Sequence, residues 1–199
     1  MIYSPQRRLV VFTPPKCGTN TLHEVLPRHG FRIVMGPQFD GAVGEHTLSL
    51  EYDVWRDLAS HRFAVAARHP YARTASLYGH YCHYWPPPHA PFPEFVASHV
   101  IAPKFAFFNA TIASLLHLHE YPVDGRTPVR FTEVIRVESL ADDLRRLGVA
   151  VDEPLPRVHA LPNAGRALYT GRAQELVDLW ARHDFDRFGY ARDLDAAFA

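Results

Sequence analysis

The residues with the most chemistry in them stand early in the chain, in the run Thr13-Pro14-Pro15-Lys16-Cys17-Gly18-Thr19-Asn20-Thr21-Leu22. A β-branched apolar run ends there and an amphipathic one begins, so the segment reads as a loop leading from a strand into a helix. Such a corner brings free backbone N–H groups, the positive end of a helix and a lysine to one point in space, which makes a cradle for phosphate or sulfate. Gly18 lets the backbone approach a ligand, Lys16 supplies a mobile positive charge, and the hydroxyls of Thr19 and Thr21 can donate hydrogen bonds. The sequence is not GxxxxGK followed by Ser or Thr, which disfavours an ordinary Walker A nucleotide triphosphatase, and no acidic partner for magnesium is evident. Taken alone, the same loop is equally well a plain turn between a strand and a helix.

A second run, AVAARHPYARTASLY (residues 64–78), places Arg68 at the end of a strand, Pro70 at the start of a helix and Ser76 two helical turns further on. On its own it is a helix start with solvated arginines. Two such segments, each at a strand-to-helix junction where an α/β sheet binds ligands, carry more weight together than either alone. PPKCGTNTL resembles the 5'-phosphosulfate-binding loop of sulfotransferases that use 3'-phosphoadenosine 5'-phosphosulfate (PAPS). AVAARHPYARTASLY resembles the second donor motif of the same family. The resemblance implies that Pro15, Lys16, Cys17, Gly18, Thr19, Asn20 and Thr21 surround the phosphosulfate. It also implies that Arg68 and Ser76 hold the 3'-phosphate, a task that suits a forked guanidinium and a hydroxyl. Asn20 stands where many relatives have Thr or Ser. Arg73 matches a frequently basic position and ranks as secondary.

The likeness extends along nearly the whole chain. VIRVESLADDLRRLGV (residues 134–149) resembles the family's strand-then-helix element, and DFDRFGY (residues 184–190) its closing segment; both read as scaffold. LPNAGRALY, with Asn163 and Arg166, occupies the place of a loop that folds over the donor, which implies Arg166 as a phosphate contact. The pattern is most similar to the carbohydrate-type, uronyl 2-O-sulfotransferase-like branch, in the form of a small bacterial member.

By this resemblance the chain is an enzyme that moves a sulfuryl group from PAPS to a hydroxyl of an acceptor and releases 3'-phosphoadenosine 5'-phosphate (PAP). The transition state is loose and in line, so the protein positions the reactants and stabilises charge, with Lys16 on the leaving phosphate and no metal required. The acceptor hydroxyl needs a general base. His46, Glu45 and, more remotely, Asp40 are the candidates; His46 in GEHTLSL resembles the base of the uronyl 2-O enzymes. The same residues also make an ordinary polar flank to a helix, with Glu45 favouring its dipole. His23 and Glu24 rank lower. The rivals to this function are a P-loop-like kinase and a non-catalytic PAP- or nucleotide-binding relative.

In LYGHYCHYWPPPHAPF, residues Tyr78, His80, Tyr81, Cys82, His83, Tyr84, Trp85 and His89 crowd together. The histidines and cysteine lack the paired spacing of a structural zinc site. A rim for a sugar or phenolic acceptor and plain packing of the rings both fit.

The elements that must position these residues alternate. Strands are expected at Arg8–Thr13, Phe31–Met35, Arg62–Ala67 and Phe131–Val137. Helices are expected at Thr19–Arg28, Leu48–Ser60, Tyr71–Tyr84, Phe92–Val100, Asn109–His119, Leu140–Leu147 and Arg172–His183. The four prolines between Trp85 and Pro93 demand a loop. This order predicts an α/β fold: one sulfotransferase domain over 1–199, P-loop-like and three-layered, with a mainly parallel central sheet flanked by helices.

Composition bounds the rest. The 199 residues suffice for one substantial core, and 21 basic residues cancel 21 acidic ones. That balance offers no field for nonspecific nucleic-acid binding, so nucleic acid is not an expected partner and any anion site is local. The acceptor's identity is not written in the sequence, and the charge balance leaves a neutral sugar, a glycolipid or a small hydroxylated metabolite open. No apolar stretch approaches the roughly 20 residues that span a bilayer, and the only cysteines, Cys17 and Cys82, fit a reducing compartment. The expectation is a soluble, cytoplasmic chain.

Overall fold

The computed structural model describes residues 1–33, 60–101, 110–121, 127–152, 154–156 and 165–198. The strands are β1 (Ile2–Ser4), β2 (Leu9–Phe12), β3 (Arg32–Ile33), β4 (Arg62–Ala67) and β5 (Phe131–Arg136). The helices are α1 (Thr19–Val25), α2 (Pro70–Tyr84), α3 (Phe92–Phe95), α4 (Ile112–Glu120), α5 (Leu140–Arg146), α6 (Gly171–Trp180), α7 (Arg182–Phe188) and α8 (Leu194–Phe198). The chain groups into two compact units, Met1–Ala67 with Ser114–His159 and Arg68–Ala113 with Ala160–Ala199.

The first unit carries one five-stranded sheet in the order β3-β1-β2-β4-β5. β2, β4 and β5 run parallel, whereas β1 pairs antiparallel with both β2 and β3. The sheet is therefore mixed, and the expected parallel arrangement holds for its β2-β4-β5 half. The antiparallel half follows from the tight turn at residues 5–8, where the Arg8 N–H donates to the Pro5 carbonyl at 3.2 Å and Arg8 takes a left-handed φ of 48°. β2 is buried along its whole length, and β4 from Phe63 onward. Strands covered on both faces need uninterrupted apolar sequence, which is why LVVF and FAVAA show no alternation. The Phe12 ring lies 5.8 Å from His119 and 6.0 Å from Phe131, and Phe131 lies 5.8 Å from Phe63, so α4 and the sheet close around one aromatic cluster. Each phenylalanine removed from water there stabilises the unit by about 2 kcal/mol.

After β5 the chain turns into α5. Asp143, buried, accepts from the Arg136 backbone N–H at 2.7 Å and from the Ser139 hydroxyl at 3.1 Å, which ties the end of β5 to the start of the helix. Arg146 in turn donates to the Val134 carbonyl at 2.7 Å and to Glu133 at 2.9 Å. α1 continues into a 3-10 turn at Leu26–His29 and stops at Gly30, whose φ of 81° suits glycine.

The second unit is built on α2. Pro70 fills the first helical position, where the absent N–H costs nothing. His69 caps the helix: its Nδ1 accepts from the Tyr71 N–H at 3.4 Å, which leaves the ring hydrogen on Nε2, and this nitrogen donates to the Ala191 carbonyl at 3.0 Å. The first turns of α2 are buried against Phe92, Phe95, Val177 and Phe185. Arg73 is 1% exposed, donates to the Ala110 carbonyl at 2.8 Å and lies over the Trp180 ring at 5.8 Å. Asp184, equally buried, accepts from the amides of Ile112 and Ala113 at the start of α4, at 2.9 and 2.6 Å. Burial pushes the Asp184 carboxyl up from its usual range, and Arg73 and the two amides oppose that.

Two of the expected helices depart from the sequence reading. The helix expected over Arg172–His183 is two helices, α6 and α7, broken at Ala181. The helix expected over Phe92–Val100 begins as α3 and widens into a π turn at Val96–Ile101. The helix expected at Leu48–Ser60 lies outside the described residues except for its last position.

Candidate functional site

The loop after β2 is where backbone geometry is most unusual. Lys16 has φ 66° and Gly18 φ 76°, two left-handed residues with Cys17 between them. A left-handed conformation costs a lysine about 1 kcal/mol or more, so the surroundings must impose it. The Cys17 N–H closes a turn on the Pro14 carbonyl at 3.2 Å, and the fully buried Cys17 side chain anchors the loop to the core. Its Sγ lies 3.7 Å from the Pro15 carbonyl. Gly18 is the N-cap of α1, and its φ permits the sharp entry.

α1 begins without a cap of its own. Gly18 has no side chain to offer, no acidic residue stands in the first turn, and the Leu22 N–H is the amide that closes on the Gly18 carbonyl, at 3.0 Å. Helix geometry leaves the amides before Leu22 without intrahelical acceptors and the helix end positive. Thr19 adds a specific orphan: the residue is 6% exposed, and its hydroxyl is buried with no hydrogen-bond partner. An unsatisfied buried hydroxyl costs about 1–3 kcal/mol, and an oxyanion seated in the loop would give it an acceptor.

Thr21 differs from expectation in its bonding. Its hydroxyl donates to the Pro156 carbonyl at 3.1 Å, so its proton is spent on holding the segment after α5. Asn20 is exposed and Lys16 half-buried. Pro15, Lys16, Cys17, Gly18, Thr19, Asn20 and Thr21 thus come together in one corner at the C-terminal end of β2. His23 lies one turn further along α1, and burial lowers its pKa to about 4, so it is a neutral ring at physiological pH.

In the second unit Arg68 and Ser76 are both half-buried, Arg68 directly before the cap of α2 and Ser76 within the helix. The structure adds His69, which the sequence reading passed over. The signal was present, because a polar residue directly before a proline at a helix start occupies the capping position. Arg166 lies in a 3-10 turn at Gly165–Leu168, exposed, and pairs with Asp195 at 3.0 Å. Its guanidinium is engaged by a carboxylate of the same unit. His46, Glu45 and Asp40, and Asn163 of the LPNAGRALY loop, lie outside the described residues.

The aromatic segment is a cluster of rings in mixed stacked, tilted and edge-on contacts. Tyr81 contacts Trp85 with rings 6.1 Å apart and 30° between planes, His80 and His83 flank Tyr84 at 4.4 and 4.6 Å, and Phe95 stacks on His99 at 5.3 Å. Tyr78 and Tyr81 face the core, whereas Tyr84 and Trp85 are 61% and 45% exposed. The segment therefore both packs and presents rings outward. Among the described residues no group of three or more His, Cys, Asp or Glu side chains could hold a metal ion, and no helix is long and apolar enough to cross a membrane.

Compared with known proteins, the chain matches no family model, no curated protein and no solved structure.

Chemically, the corner at residues 14–19 can bind an oxyanion. It supplies a lysine, an uncapped helix start and a buried hydroxyl with its proton unspent, on a backbone held in place by Cys17.

Proposed function

We propose that this protein is a PAPS-dependent sulfotransferase acting on a hydroxyl-bearing acceptor. The observation that carries the reading is the left-handed Lys16 and Gly18 pair leading into an uncapped α1 with the unpartnered Thr19 hydroxyl. The sequence likeness of PPKCGTNTL and AVAARHPYARTASLY to the two donor motifs supplies the identity of the anion.

In this reading Lys16, the first-turn amides of α1 and Thr19 take the phosphosulfate, and Arg68 and Ser76 take the 3'-phosphate. The acceptor oxygen attacks sulfur as the bond from sulfur to the bridging phosphate oxygen breaks, and PAP leaves. Lys16 neutralises the charge that grows on that bridging oxygen, an effect worth a few kcal/mol at such sites. The acceptor proton passes to a base, for which His46 is the first candidate and Glu45 the second. The exposed Tyr84 and Trp85 offer flat faces suited to a sugar or phenolic ring.

Thermal unfolding in the presence of PAP or of ATP with magnesium separates this reading from a kinase. The sulfotransferase reading expects PAP to raise the midpoint and ATP with magnesium to leave it unmoved. Stabilisation by ATP with magnesium alone would replace it with the kinase. Turnover of PAPS with an acceptor panel, lost in His46→Ala, separates the enzyme from a non-catalytic PAP-binding relative.

A further inference from the structure

The segment DFDRFGY reads as scaffold in the sequence, yet the residue just beyond it is bonded to the second donor motif. His69, 3% exposed, is fastened at its ring and at its backbone. Its Nδ1 accepts from the Tyr71 N–H at 3.4 Å, its carbonyl accepts from the Arg73 N–H at 2.8 Å, and its Nε2 donates to the Ala191 carbonyl at 3.0 Å. Tyr71, Phe185 and Tyr190 wall the ring, with centroids 5.3, 5.7 and 5.0 Å away. A fixed turn delivers Ala191 to it: α7 ends at Gly189 with φ 66°, and the Tyr190 N–H closes on the Phe185 carbonyl at 3.0 Å.

Little of the α2 start is left for an anion. Pro70 has no N–H, the Tyr71 N–H goes to the His69 ring, and the Arg73 N–H goes to the His69 carbonyl. A phosphate at this corner therefore depends on side chains, and Arg68 is the neighbour of His69 in the chain. A buried residue held by these bonds leaves the peptide that joins it to Arg68 little freedom, which fixes the direction in which the Arg68 side chain leaves the backbone.

We propose that His69 is a positioning residue of the donor site, and that its bond to the Ala191 carbonyl aims Arg68 at the 3'-phosphate. The role rests on the sulfotransferase reading. Buried as it is, the ring acts through Arg68 rather than on the ligand. Its two nitrogens have separable tasks. Nδ1 caps the helix, which serves stability, and Nε2 ties the motif to the closing segment. Asparagine can reproduce the first task and glutamine the second.

The test is calorimetry of the full chain with PAP and with adenosine 5'-phosphate (AMP), which lacks the 3'-phosphate. The parent should prefer PAP. His69→Asn, which keeps the cap, should weaken PAP binding about fivefold or more with AMP binding unchanged, and His69→Gln should restore most of the preference. In an Arg68→Ala protein, His69→Asn should cost nothing further, because residues that act as a unit are not additive. Tyr190→Leu, which removes one wall of the ring and neither hydrogen bond, should lose the same preference in smaller measure and serves if His69→Asn does not fold. A parent that binds PAP no better than AMP would overturn the sulfotransferase reading and this role with it. A parent that prefers PAP, with His69→Asn weakening both ligands alike, leaving the preference intact or adding in full to Arg68→Ala, would overturn the positioning role alone.

Discussion

A Cβ placed on Gly18 would stand 3.4 Å from Cγ2 of Val137, the residue after β5. The loop after one parallel strand is thus seated against the end of another, and with φ at 76° it has no freedom to relax away. Gly18→Ala should cost about 1–2 kcal/mol of stability and lower PAP affinity, because the strained residue is the one that sets the approach to the anion. Urea unfolding and calorimetry on the same protein would read both.

Thr19→Val separates function from stability. The valine keeps the shape and removes the buried hydroxyl that has no partner. Stability should rise by about 1 kcal/mol, while affinity for PAP falls. A variant that loses stability, or binds PAP unchanged, would show that the hydroxyl is not waiting for a ligand.

His23 makes the fold acid-sensitive. Its pKa is lowered to about 4 in the fold, by burial first, against about 6.5 in the unfolded chain. Between those values the unfolded state binds more protons. The stability this group contributes is therefore complete above pH 6.5 and is lost as pH falls toward 4. Allowing for the ring's partial solvent contact, the loss is about 1–2 kcal/mol. His23→Gln should flatten that part of the urea midpoint against pH.

Asp184 holds the start of α4 through the Ile112 and Ala113 amides. Asp184→Ala removes the cap and the buried carboxylate that interacts with the Arg73 charge, and should cost about 3 kcal/mol. Asp184→Asn, which can still accept from the amides, should cost less. Chemical denaturation of the two variants beside the parent measures the difference.

What could be read from the sequence follows the reach of each interaction. β4 was legible because FAVAA is an unbroken apolar run bounded by Arg62 and Arg68, and α2 because Pro70 marks its start. β3 falls within the strand expected at Phe31–Met35, but β1 has three residues, too short for any period, so the antiparallel pairing was not legible. The break at Ala181 has no glycine or proline to announce it; tertiary packing of Phe185 and Phe188 decides it. At the site, the corner at residues 14–19 was legible because its chemistry is local. The bond from Thr21 to Pro156 spans 135 residues of sequence and could not be foreseen. Nor could the ion pair that occupies Arg166, since Asp195 reaches it only through the fold of the second unit.

The most direct test of the donor site is calorimetric titration of PAP into the parent protein and into Lys16→Ala and Arg68→Ala. The account requires saturable binding to the parent that is weakened by about tenfold or more in each variant, as the loss of a charged phosphate contact entails, with both variants still folded. No binding to a folded parent protein, or binding that both substitutions leave unchanged, would contradict it.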